Sequence, residues 1–144
     1  MKFFAFFTVV LVLFASGAVA QSNLHCAIKG GEGRGWVPED IFLSVDYDRK
    51  TALIIDPLIA HYEQNALTVP MKPRRNGIYR IDWSVFVSDA RPSGIRVKYT
   101  LEFDPNANTV KVKGSFPLQN ASNRIRGEGR CAPVRANQIP RGAG

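Results

Sequence analysis

Between Ile78 and Phe116, apolar and polar residues alternate with a period of two. Tyr79, Ile81, Trp83, Val85 and Val87 fall on one face of the first segment, and Arg80, Asp82 and Ser84 on the other. In the second segment Ile95, Val97, Tyr99, Leu101 and Phe103 alternate with Arg96, Lys98, Thr100, Glu102 and Asp104. In the third, Val110, Val112 and Phe116 are set against Lys111, Lys113 and Ser115. This alternation belongs to half-buried antiparallel strands, and no i, i+3, i+4 stripe supports a helix. A loop over Pro105–Asn108 sets Phe103 against Val110, Leu101 against Val112 and Tyr99 against Gly114, where a ring covers the missing side chain. Pairing Val87 with Ile95 brings Val85 to Val97 and Trp83 to Tyr99. The same registers align Arg80, Glu102 and Lys111 on the opposite face with alternating charge signs, as favourable cross-strand pairing requires. Two faces agreeing on one register predict a three-stranded meander.

The rest of the chain extends the pattern. Leu24–Ile28 predicts a short first strand, followed by a loop rich in glycine (Gly30, Gly31, Gly33, Gly35) that Trp36-Val37-Pro38 ends. Ile41, Leu43, Val45 and Tyr47 alternate into a strand, and Asp48-Arg49-Lys50-Thr51 predicts a tight hairpin turn. That turn sets Val45 against Ile54 and Tyr47 against Ala52. Asp56-Pro57 predicts either one or two capped helical turns through Tyr62, with Pro57 at the first helical position, or a strand end followed by a loop. Leu67, Val69 and Met71 form another alternating run. Face parity then selects a loop over Arg75–Gly77, with Gly77 left-handed, that sets Val69 against Trp83 and Met71 against Ile81. The sum is all-β: one antiparallel meander barrel or roll of about seven or eight strands over residues 21–131. Trp36 is expected as a lid over one end of its core.

Met1-Lys2, the apolar run Phe3–Phe14 and Ala18-Val19-Ala20 change the setting of this domain. A basic start, an apolar core and a small-x-small ending read as a secretory signal peptide over residues 1–20, cleaved before Gln21. A retained anchor is the competing reading, since the run is about long enough to approach a span; the Ala-Val-Ala ending favours cleavage. Cys26 comes too late for a lipoprotein anchor. No other segment is apolar enough to cross a membrane as a helix. The expected product is secreted or periplasmic and, once cleaved, not an integral membrane protein. Cys26 and Cys131 are the only cysteines, and in an exported chain such a pair predicts a disulfide. Two free thiols with a redox role would want a Cys-x-x-Cys spacing, which is absent. Residues 132–144 carry two prolines, two glycines and two arginines with little apolar content, and are expected as a flexible tail.

Net charge is +7, or +6 without Lys2. This favours an anionic surface or protein as partner without identifying one. Candidate binding residues are the basic turn Arg74-Arg75 beside Lys72, the basic face of Lys98, Lys111 and Lys113, and Phe86, which lies on the polar side where Arg96 can stack on it. Gly-Glu-Gly-Arg occurs twice, at Gly31–Arg34 and Gly127–Arg130. If the first and last strands are neighbours, the two copies bring Glu32, Arg34, Glu128 and Arg130 together, with Trp36 nearby. No catalytic set is recognisable: there is no Gly-x-Ser-x-Gly elbow, and an enzyme would need a pocket that brings His25 or His61 to a carboxylate. Neither histidine has metal-ligand spacing beside it, so no metal and no cofactor are expected. The glycine loop lacks the lysine-hydroxyl pair of a phosphate cradle. Export argues against nucleic acid, although aromatic and basic residues interleave.

Cys26, Gly35-Trp36-Val37-Pro38, Ala52–Asp56, Trp83, Tyr99 and Asn123–Cys131 together resemble a group of small exported β-domain proteins of alphaproteobacteria. The resemblance spans most of the chain after residue 20 and implies a periplasmic address, and it contributes no activity to the reading. The small disulfide-bonded barrels that inhibit lysozyme carry a Ser-Gly-x-x-Tyr loop that Ser93-Gly94 and Tyr99 do not reproduce. The expectation is a binding or interaction module for an anionic partner, with a calycin-like carrier of a small apolar ligand as the alternative. A carrier requires a cavity of about a few hundred cubic ångströms inside the barrel. A hydrolase with an unrecognised site ranks third.

Overall fold

The computed structural model describes residues 21–32, 35–89, 92–117 and 125–141. The expected signal peptide (residues 1–20) and Arg34 lie outside them. Eight strands form a closed antiparallel barrel in chain order. They are β1 (Gln21–Glu32), β2 (Asp40–Asp46), β3 (Thr51–Ile55), β4 (Leu67–Pro73), β5 (Tyr79–Val87), β6 (Ile95–Asp104), β7 (Thr109–Ser115) and β8 (Ile125–Pro133), with the helix α1 (Pro57–Tyr62) between β3 and β4.

The meander of β5–β7 carries the registers that alternation predicts. Val87 pairs with Ile95, Trp83 with Tyr99, Phe103 with Val110 and Tyr99 with Gly114. Met71 faces Ile81 across β4–β5, and Gly77 is left-handed at φ 74°, as face parity requires. The β2–β3 hairpin differs. Asp46, not Asp48, pairs with Thr51, so Val45 faces Ala52 and Leu43 faces Ile54. The loop Tyr47–Lys50 is two residues longer than expected because the Asp46 carboxylate accepts the Arg49 N–H at 2.9 Å and Lys50 turns left-handed at φ 53°. The β6–β7 loop is built alike: Asp104 accepts the N–H groups of Asn106 and Ala107, and Asn108 sits at φ 51°. Asp56 caps α1 by accepting the Ile59 N–H, with Pro57 in the first turn, which decides for the helix over the loop.

Inward positions fill the barrel. Ile41, Leu43, Val45, Ile54, Ile81, Val97, Tyr99, Leu101 and Phe103 are all buried. Closure comes from β1 and β8, which pair from Leu24–Pro133 to Glu32–Arg126. Cys26 stands directly opposite Cys131 in that ladder, and the two form the expected disulfide. Gly129 in β8 permits this seam: a Cβ there would collide with the Ala27 carbonyl oxygen and press on Ile28. After β8, Val134 donates to the Asn23 carbonyl, residues 136–138 make a single 3-10 turn, and Ile139 packs against the core.

Candidate functional site

The ladders of β5–β8 lay the outward residues of these strands out in rows. Asp82, Thr100, Lys113 and Arg126 follow one another from β5 to β8, and so do Arg80, Glu102, Lys111 and Glu128. One step toward the α1 end, Ser84, Lys98 and Ser115 form a row, and beyond them Phe86 faces Arg96. Arg80, Asp82, Ser84, Lys98, Thr100, Glu102, Lys113 and Ser115 line a groove of about 630 Å³.

Its charges divide into spent and unspent. Asp82 receives Arg80 Nε at 2.8 Å, Thr100 Oγ1 at 2.8 Å and Lys72 Nζ at 3.4 Å. Partial burial pushes its pKa up, but those hydrogen bonds and the Arg80 charge win and hold the carboxyl below its ordinary value. Lys111 reaches Glu128 at 3.9 Å. Arg96, Lys98, Lys113 and Arg126 are exposed and make no ion pair with another described residue. They are contiguous. Arg126 is directly opposite Lys113, Lys113 is diagonal to Lys98, and Lys98 is two residues from Arg96 on the same face of β6. Arg126 also lies opposite Glu32 in the closing seam. Arg96 donates to Ser84 Oγ at 3.2 Å and sits 5.7 Å from the centroid of the Phe86 ring. Phe86 is 41 % exposed and its ring covers Gly94, whose φ of 66° and lack of a side chain make room for it.

The other expected site residues are dispersed. Trp36 packs edge-on against Phe116 at 4.9 Å, and its carbonyl accepts the Tyr99 hydroxyl at 2.8 Å. Arg74 and Arg75 form an exposed turn at the far end of the barrel, beside Asn106. Arg130 lies inside β8, between Thr109 and Ala27, so the second Gly-Glu-Gly-Arg is strand and not loop. Glu128 in that copy faces Lys29 and Lys111. Sequence reasoning missed Arg126 as a member of the basic face, because only the β7–β8 register brings it beside Lys113.

Two further clusters carry titratable groups. At the α1 end, Asp56 is buried beneath the helix it caps, and burial pushes its pKa up to about 6, against the pull of the Ile59 and Leu58 N–H groups and the Trp83 indole. Its Oδ2 and Trp83 Nε1 remain outside hydrogen-bond geometry. Burial and the Asp56 charge raise the pKa of Tyr99. On the outside, His25 Nε2 meets Asp40 Oδ1 at 2.7 Å, and the imidazole stacks on Phe42 at 4.6 Å. These three, with Ile55, Asp56, Pro57, Ala60 and Pro140, border a pocket of about 420 Å³. A histidine therefore does reach a carboxylate, but the nearby Ser44 hydroxyl donates to Asn23 and accepts from Gln21. Among the described residues no group of three His, Cys, Asp or Glu could hold a metal ion. Comparison with family models, curated proteins and solved structures gives no match.

Proposed function

We propose that this chain is an exported binding module that recognises an anionic partner with the outer face of β6–β8. The observation that carries the reading is the contiguous run Arg96, Lys98, Lys113 and Arg126, beside which Asp82 is engaged by Arg80 and Glu128 by Lys111. Like charges directly opposite one another weaken a sheet, and Lys113 against Arg126 is such a pair. An external anion would relieve that repulsion. The net charge, +6 without Lys2, adds long-range attraction for the same class of partner. Export accords with the Cys26–Cys131 disulfide and with the signal-like residues 1–20.

The barrel interior favours this reading over a carrier. Bulky side chains such as Tyr99, Phe103, Leu43 and Met71 occupy the inward positions, and an eight-stranded barrel is just wide enough for its side chains to fill it. A hollow of about 430 Å³ at the turn end meets only Leu24 and Phe103 among the barrel's core residues. The test is an NMR titration of the ¹⁵N-labelled protein with phosphate, sulfate and citrate. Amide shifts are expected to concentrate at residues 96–100, 111–115 and 125–127 and to weaken as salt rises. Shifts spread over the whole basic surface, or centred on Arg74-Arg75, would reject the site.

A further inference from the structure

Resting on that reading, we infer that the partner is an acidic polysaccharide, a linear chain that lies along the cations from Arg126 to Arg96. Three features select a chain over other anions. The first is spacing. Residues directly opposite, diagonal, or two apart on one strand face stand roughly 5–8 Å from each other, so the four cations make a line of roughly 20 Å. A polyuronate carries one carboxylate on every sugar ring, a linear density of charge that suits a row of cations this closely spaced.

The second feature is the floor. Ser84 and Ser115 flank Lys98 on either side, and Thr100 stands beside Lys113. Hydroxyls interleaved with ammonium groups suit a ligand that alternates hydroxyls with carboxylates. Thr100 Oγ1 donates to Asp82 and accepts from Arg80 Nη2 at 3.5 Å, which leaves it one lone pair for a ligand, whereas the Ser115 hydroxyl has no hydrogen-bond partner among the described residues.

The third is shape. Lys98 and Lys113 lie in a groove, and Phe86 ends the line with its ring against Gly94 and Arg96. A face made for a bilayer presents apolar side chains free to insert, and this ring is held down. A single-stranded nucleic acid would use several aromatic platforms along its path. This track has one ring, at its end, and Arg96 and Gly94 already lie against it. Glu102 lies at the opposite edge of the groove, paired across the strands with Arg80 and Lys111, and it limits the chain to the α1 side.

The experiment is calorimetric titration with oligogalacturonates of increasing length, alongside inorganic polyphosphate, oligo-dT and phosphatidylglycerol vesicles. Affinity for the oligogalacturonates is expected to rise with length and then level off once the line of cations is covered. The K98Q/K113Q variant should bind the longest oligomer about tenfold more weakly or worse. R49Q/R75Q removes the same charge from exposed turns at the other end and should leave binding within about twofold. Equal losses in both variants would mean that net charge, not this site, does the binding. Tighter binding of oligo-dT or polyphosphate, or binding of vesicles alone, with the loss still confined to K98Q/K113Q, would overturn the polysaccharide and leave the anionic face standing. No binding of any of the four would overturn both.

Discussion

Asp56 joins two demands that conflict. Its side chain must be present to cap α1, since the Ile59 N–H has no other acceptor in the turn, and it must be buried because α1 closes one end of the barrel. Burial penalises the charged form and lifts the pKa from 3.8 to about 6. The folded chain thus binds the proton more tightly than the unfolded chain. Stability is gained as pH falls through about 6 toward 3.8 and is lost as pH rises back through that window. The full effect is roughly 3 kcal/mol. Asp82 works in the opposite direction, because its depressed pKa supports the fold only above the ordinary carboxylate range and that support disappears in stronger acid. Urea midpoints should therefore rise between pH 7.5 and 5, then fall in stronger acid. Asp56→Asn keeps a capping oxygen without the charge. It should raise stability at pH 7.5 and flatten the slope between pH 7.5 and 5. A variant that keeps the wild-type slope would assign the effect to another group.

The hairpin turns show what a sequence can and cannot tell at the level of elements. In β5–β7 both faces constrain the register, since the apolar rows and the charged row Arg80–Glu102–Lys111 must align together. In β2–β3 a slip of two residues keeps every side chain on its own face, so parity could not separate the short turn after Asp48 from the longer one after Asp46. A separate signal was present: Asp46 and Thr51 enclose four residues, as Asp104 and Thr109 do, and the two turns fold alike. The candidate face was legible in part for a related reason. Lys98, Lys111 and Lys113 alternate visibly, but only the β7–β8 ladder pairs Lys111 with Glu128 and adds Arg126 beside Lys113. Turn chemistry also makes a prediction. Lys50 is left-handed without the local hydrogen bonding that lets asparagine tolerate this region. Lys50→Gly should stabilise the protein by about 0.5–1 kcal/mol, and Asn108→Gly by less, in paired thermal melts. An equal gain at both sites would mean that side-chain identity in the left-handed position does not matter here.

At the scale of the molecule, closure is what separates this barrel from an open meander. Each of β2–β7 pairs with strands adjacent in sequence, whereas β1 and β8 meet across nearly the whole chain. The seam therefore carries the largest loop-closure cost in the fold, and the disulfide spans 105 residues at that point. In the chain-entropy model such a link contributes about 4–5 kcal/mol, which is a large part of the total stability of a small domain. Replacing both Cys26 and Cys131 with alanine should lower stability by that order. The loss should be uneven, because β8 keeps its ladder with β7 after the seam loosens. Amide exchange should accelerate most in β1 and the adjoining edge of β8, while β5, β6 and β7 remain protected. Arg126 faces Lys113 through the β7 ladder and not through the seam, so anion binding should survive in the fraction that stays folded. If protection instead falls equally in all eight strands, the barrel opens only as a whole and the seam has no independent motion. In that case the track exists only in the closed barrel, and binding should weaken in proportion to the unfolded fraction.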